Sequence, residues 1–147
     1  MSDPGEFAVP KLIALYAERI DAGDFSGVAE LFAHARVTAQ GVDTVHYGTD
    51  EVRAMYEGWT RVHDDGTPRT KHVTTNLVVE VDEDAGTATC RSYFTVLQQT
   101  DALALQPIIA GRYHDSFERV DGTWRFAHRH MITDLVGDLS QHLTRRL

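Results

Sequence analysis

Cysteine, lysine and long apolar runs are all scarce in this chain. Cys90 is the single cysteine in 147 residues, which excludes an internal disulfide and any cysteine-based metal cluster. No stretch approaches the ~20 consecutive apolar residues of a membrane-crossing helix. The opening Met1-Ser2-Asp3-Pro4-Gly5-Glu6 lacks the basic and apolar regions of a secretory signal, so the expected compartment is cytoplasmic. Lysine occurs only as Lys11 and Lys71, and the other cations are arginines, a bias of composition rather than of function. With 22 acidic against 14 basic side chains the net charge is −8, a poor match to nucleic acid or an anionic membrane. Also missing are Gly-x-Gly-x-x-Gly, a phosphate loop, Gly-x-Ser-x-Gly and His-Glu-x-x-His. Their absence argues against dinucleotide, nucleoside triphosphate and simple serine-hydrolase chemistry, and no cofactor is indicated.

What is present fits one globular domain. Hydrophobic residues make up 42%, the globular norm. A chain of this length hides roughly 70% of its unfolded surface. The first half reads helical. Pro10 suits a first turn, and Leu12, Ile13, Leu15, Tyr16 and Ile20 follow at helical spacing to about Ala22, where Gly23 ends the run. Asp24 or Ser26 can cap a short second helix through Val28, Leu31 and Phe32. Two short strands, Arg36 to Gln40 and Thr44 to Tyr47, join across Gly41-Val42-Asp43. Thr49 can cap a third helix with Asp50 and Glu51 in its first turn and an apolar stripe of Val52, Met55, Tyr56 and Trp59.

After the turn Gly66-Thr67-Pro68 the period changes to two. Thr70 to Val81 reads as a strand, Asp82 to Gly86 as a hairpin turn, and Thr87 to Gln99 as a long strand. A loop is expected over Thr100 to Pro107, then strands Ile108 to Arg119 and Thr123 to Met131 around Asp121-Gly122. The tail from Leu135 to Leu147 reads as weakly helical or frayed. Helices followed by an antiparallel meander indicate an α+β fold. A curved sheet wrapped around those helices would enclose a pocket, the default place for a small molecule.

Several segments resemble a known family. Leu15-Tyr16-Ala17-Glu18-Arg19-Ile20-Asp21 with Asp24-Phe25 is similar to the first helix of SnoaL-like proteins of the nuclear-transport-factor-2-like superfamily. Lys71-His72-Val73-Thr74-Thr75-Asn76 is similar to the start of their third strand. Ile109 to Tyr113 and Phe117-Glu118-Arg119-Val120-Asp121-Gly122-Thr123-Trp124-Arg125-Phe126 resemble their closing hairpin. The resemblance spans nearly all of residues 1–147, and it implies a single cone-shaped domain. Three N-terminal helices would pack on a strongly curved, mostly antiparallel sheet around an apolar pocket.

Within that superfamily the chain looks most like the scytalone dehydratase, bile-acid dehydratase and lindane dehydrochlorinase group. These are cofactor-free lyases with an Asp–His dyad. The resemblance places Asp21 and His72 at the dyad positions and Arg129 at the position of an arginine that assists the leaving group. Tyr113 falls on the matching cavity strand, with Tyr16, Met55, Trp59 and Phe94 as further candidate substrate contacts. Two departures stand out: the second histidine of the scytalone dehydratases falls near Gln98 or Gln99, and Ile20 replaces their helix tyrosine. The chemistry suits these residue types. Imidazole removes a carbon-bound proton near neutral pH, a carboxylate on its other nitrogen fixes the tautomer, and an Arg or Tyr donor stabilises the departing anion.

The residues alone leave orientation open. At ~100° per residue Asp21 lies roughly 140° from the apolar face of its helix. Strict alternation turns His72 away from Val73, Leu77 and Val79 unless a bulge intervenes, and sets Arg129 against Trp124 and Phe126. Asp21 could instead be solvated or paired with Arg19 or Arg61, and Arg129 could be a structural ion-pair partner. His128 and His130 share a strand face but lack an identifiable third ligand, so no metal is expected. Three functional readings remain open. One is a cofactor-independent dehydratase or dehydrohalogenase acting on a small hydrophobic cyclic, steroid-like or polyketide-like molecule. Another is a ketosteroid-isomerase-like or cyclase-like isomerase, and the last is a small-ligand-binding module. The outer sheet face needs covering, so a homo-oligomer is expected, a trimer by resemblance and a dimer as alternative.

Overall fold

The computed structural model describes residues 3–147. Three helices, α1 (Gly5–Asp21), α2 (Phe25–Leu31) and α3 (Gly48–Trp59), accompany six strands. These are β1 (Arg36–Ala39), β2 (Val42–Tyr47), β3 (Thr70–Asp82), β4 (Thr87–Thr100), β5 (Leu103–Val120) and β6 (Thr123–Val136). They form one sheet in the order β2-β1-β6-β5-β4-β3, antiparallel except for the β1–β6 pair. The expected α+β architecture is therefore present. No described helix is long and apolar enough to cross a membrane.

Helix α1 buries Val9, Ile13, Tyr16 and Ile20, one stripe at three- and four-residue spacing, against the concave sheet face. It begins about a turn and a half before the sequence suggests, so Pro10 lies inside it rather than in its first turn. Tertiary contacts hold the added turn. The Gly5 N–H donates to Glu83 at 2.6 Å, and Gly5 is buried beside Val81 and Trp124, where a Cβ would lie only 2.7 Å from the valine. Gly23 stops the helix at φ +73°, and a Cβ there would sit 2.3 Å from the Gly66 carbonyl oxygen. Asp24 caps α2 by accepting the Gly27 N–H at 2.9 Å. Thr49 does not cap α3: the helix begins at Gly48 (φ +80°), and the Glu51 carboxylate accepts the Tyr47 N–H.

The expected loop over 100–107 is absent. Strands β4 and β5 pair up to Thr100 and Leu103, leaving Asp101 and Ala102 as the turn. Pro107 is tolerated because it sits at a register shift opposite Leu97. Strand β6 continues past Met131 to Val136. The tail beyond it is not helical. It folds back under the end of α3, with an isolated bridge between Thr60 and Leu143 and a Thr144 N–H bond to the Trp59 carbonyl at 2.9 Å.

Two bulges set which residues face inward. In β3, Thr75 pairs with Tyr93 and Val78 with Arg91, so the strand carries an irregularity around Asn76, whose φ is +57°. Before it the inward positions are Thr70, His72 and Thr74; after it they are Leu77, Val79 and Val81. In β6, Ser116 pairs with His128 and Phe117 with Phe126, leaving Ala127 extra. Trp124 and Phe126 face inward before that bulge, and Arg129 after it.

Candidate active site

The Asp21–His72 pair is built where α1 ends against the start of β3. Asp21 is the last residue of α1, so its side chain is clear of the next turn and reaches across to the strand. Its Oδ1 accepts from His72 Nδ1 at 2.6 Å and from the Thr70 hydroxyl at 2.8 Å. Its Oδ2 accepts the His72 backbone N–H at 2.8 Å. The two side chains are 10% and 7% exposed. Burial alone would raise the Asp21 pKa, but its bonds to His72 and the imidazole's charge outweigh this and hold it below the ordinary carboxylate value. An ionised carboxylate only accepts, so His72 Nδ1 donates its proton to Asp21, and in the neutral tautomer so fixed the lone pair lies at Nε2. Neither Arg19 nor Arg61 takes part: Arg19 donates to the Gly27 carbonyl at 2.8 Å.

The His72 ring lines a cavity of about 290 Å³, at the lower end of small-molecule sites. Ile20, Met55, Trp59, Phe94 and Val96 give it apolar walls, and Tyr16, Tyr56 and Tyr113 add phenols. Tyr16, Tyr113, Met55, Trp59 and Phe94 thus share one cavity with His72. The Tyr56 hydroxyl donates to the Tyr16 oxygen at 3.0 Å, which leaves the Tyr16 proton free for another acceptor. Burial raises the pKa of all three phenols, so each remains a donor at neutral pH.

Arg129 stands behind the cavity wall rather than on it. Its Nε and Nη2 donate to Asp115 Oδ1 and Oδ2 at 2.8 and 3.0 Å, with both side chains fully buried. Burial would lower the Arg129 pKa, but the Asp115 carboxylate overrides it and the group is held charged. Its guanidinium lies 3.7 Å from the Tyr113 ring centre and 4.3 Å from that of Tyr16. It therefore reaches the cavity through two phenol rings. Its Nη1 is buried without a partner.

Other histidines sort clearly. His128 Nε2 and His130 Nδ1 both lie 2.7 Å from the Thr38 hydroxyl. Among the described residues no group of three His, Cys, Asp or Glu side chains forms a metal-sized cluster. Gln98, one of the two residues expected near the second-histidine position, uses its amide Nε2 to hold the Pro68 and Gln141 carbonyls at 3.0 and 2.9 Å. Sequence reasoning missed two further histidines of the lining, His46 and His142. His142 lines the cavity from the tail, and no periodicity or motif marks it. Asp115 was also missed, because its pairing with Arg129 depends on the Ala127 bulge.

Residues 6–130 match the profile of the family described as SnoaL-like domain. No curated protein matches the sequence. Among solved structures, Rv3472 of Mycobacterium tuberculosis, of unknown function, is 28% identical with a TM-score of 0.71, covering 89% of this chain and 72% of that one. A Novosphingobium aromaticivorans protein provisionally named scytalone dehydratase is 22% identical (TM-score 0.71, 90% of this chain, 86% of that one). LinA is 22% identical (TM-score 0.70, 92% of this chain, 89% of that one). At the last two identities the likeness is one of fold.

Proposed function

The chain belongs to the SnoaL-like domain family, and on that premise we propose that it is a cofactor-independent lyase acting on a small hydrophobic cyclic molecule. The observation that carries this reading is the Asp21–His72 pair, whose imidazole lines a largely apolar cavity. His72 Nε2 takes a proton from carbon as the general base. Asp21 fixes the tautomer and stabilises the imidazolium that forms. The electron pair of the broken C–H bond becomes a double bond as the neighbouring carbon expels hydroxide or halide. Tyr16 and Tyr113 stand as donors for the departing anion or for a developing oxyanion. The buried guanidinium of Arg129 behind their rings strengthens them as donors. In this reading Arg129 is a positioning and electrostatic residue rather than a direct contact with the leaving group.

The Tyr56–Tyr16 hydroxyl pair also favours a second reading, proton transfer without a leaving group. Such a pair can hold an enolate oxygen, as an isomerase requires. Product mass separates the two. We would incubate the protein with a panel of β-hydroxy ketones and polyhalogenated rings and analyse products by mass spectrometry. A lyase gives products lighter by the elements of water or hydrogen halide, and His72→Ala and Asp21→Asn lower kcat roughly 10²–10⁴-fold. A product of unchanged mass establishes the isomerase, and turnover indifferent to His72→Ala defeats both readings.

A further inference from the structure

Besides His72 and His46, an imidazole from the far end of the chain meets the same cavity. His142 is held by its backbone: its N–H donates to the Leu139 carbonyl at 3.0 Å, and its own carbonyl accepts the Arg61 N–H at 2.8 Å. Its neighbours are pinned as well. The Gln141 carbonyl accepts from Gln98 Nε2 and contacts His63 Nε2, each at 2.9 Å, and Leu143 bridges Thr60. The backbone that carries the ring is therefore held by five residues, Leu139, Arg61, Gln98, His63 and Thr60, rather than belonging to a loose tail.

The two ring nitrogens differ. Nδ1 is buried with no partner. Buried N–H groups are rarely left without an acceptor, so Nδ1 is the bare nitrogen and Nε2 carries the proton. Nε2 is not among the buried unpartnered atoms, and the ring lines the cavity, so the N–H is the end accessible to a bound molecule. Burial, aided by the charges of His72 and His63 and opposed by Asp21, pushes the His142 pKa down to about 4. The ring is thus neutral at neutral pH. A neutral imidazole polarises an oxygen without surrendering its proton to it.

We infer that His142 is a substrate-contacting residue whose Nε2–H donates to a carbonyl oxygen of the bound molecule. This rests on the reading of the cavity as the place where His72 removes a carbon-bound proton. A carbonyl is what makes such a proton acidic. As the C–H bond breaks, its electron pair forms a C=C bond to the carbonyl carbon, the C=O pair moves to oxygen, and the proton goes to His72 Nε2. The negative charge then grows on the atom that His142 faces, and collapse of the enolate expels the leaving group on the next carbon.

Tetralin and 1-tetralone, two rings differing by one carbonyl oxygen, test this by calorimetric titration of the full chain. The readout is the ratio of their affinities, in which solvation of the free ligands cancels between variants. His142→Phe is expected to shift the ratio against 1-tetralone by roughly three- to tenfold, the loss of one net hydrogen bond. His142→Gln, which keeps an N–H donor, is expected to restore part of it. Hydrogen exchange of the Arg61 and Thr144 amides reports whether the tail stays seated, and if His142→Phe unseats it the ratio in His142→Gln decides. An unchanged ratio with the tail seated, or no binding of either probe, overturns the inference. The lyase reading fails separately. An oxygen preference that depends on His142 without turnover of any panel compound defeats that reading alone. Turnover that depends on His72 without such a preference defeats this one alone.

Discussion

Mild acid is expected to release the tail before it unfolds the domain. The perturbation is a drop from pH 7 to pH 5, and the responding group is His142, with His72, Asp21 and His63 facing it. Seated, its pKa is about 4; freed, it returns to the ordinary 6.5. Between those values the freed ring binds a proton that the seated ring refuses, so the seated state loses stability as pH falls. At 1.36 kcal/mol per pKa unit the whole loss is about 3 kcal/mol, of which about 2 is gone by pH 5. Asp21 acts in a lower window. Its depressed pKa contributes stability that is present above the ordinary carboxylate value and lost as pH falls through the folded value. The interval from pH 7 to 5 therefore leaves the carboxylate out, and the comparison with His142→Gln separates this ring from His128, whose pKa burial also lowers. The assay is urea unfolding at both pH values in wild type and His142→Gln, with hydrogen exchange at Arg61 and Thr144 to locate the opening. Wild type should lose about 2 kcal/mol more than His142→Gln over this range, first at those two amides. An identical pH dependence in the two proteins refutes the reasoning.

Two further outcomes concern stability. Asp115→Asn strands the Arg129 charge in a fully buried site and should cost about 3–5 kcal/mol in urea unfolding, while Asp115→Leu combined with Arg129→Met should recover much of it. Gly111→Ala would place a Cβ 2.0 Å from the Ile132 carbonyl oxygen and 2.9 Å from the Phe94 ring, and should lower Tm by the equivalent of at least about 1–3 kcal/mol.

The order of elements was legible in the sequence because period and punctuation agree with the fold: Gly23 and Asp24 separate α1 from α2, and Asp121-Gly122 turns β5 into β6. Asp21 and His72 were found by resemblance, whereas alternation alone argued against His72. The reason is the bulge near Asn76. Asparagine tolerates the left-handed backbone but does not announce it, so the strand's change of phase was hidden. The same blindness at Ala127 hid the Asp115–Arg129 pair. The sequence reading of α1 stopped short because its first turn is held by Glu83 and Trp124, residues remote in the chain. Nothing local marks His142, since its position comes from contacts with Gln98, Arg61 and Thr60.

The bulge near Asn76 divides β3 into two reading frames. Residues on its N-terminal side build the candidate site: Thr70 and His72 donate to the Asp21 carboxylate. Residues on its C-terminal side answer to the core, where Leu77, Val79 and Val81 pack against the buried cluster. The junction acts as a splice point between them. A protein engineer could exchange the segment before Asn76 to alter what the site does while leaving the packing frame beyond it untouched. Moving the junction by a single position would scramble both frames at once.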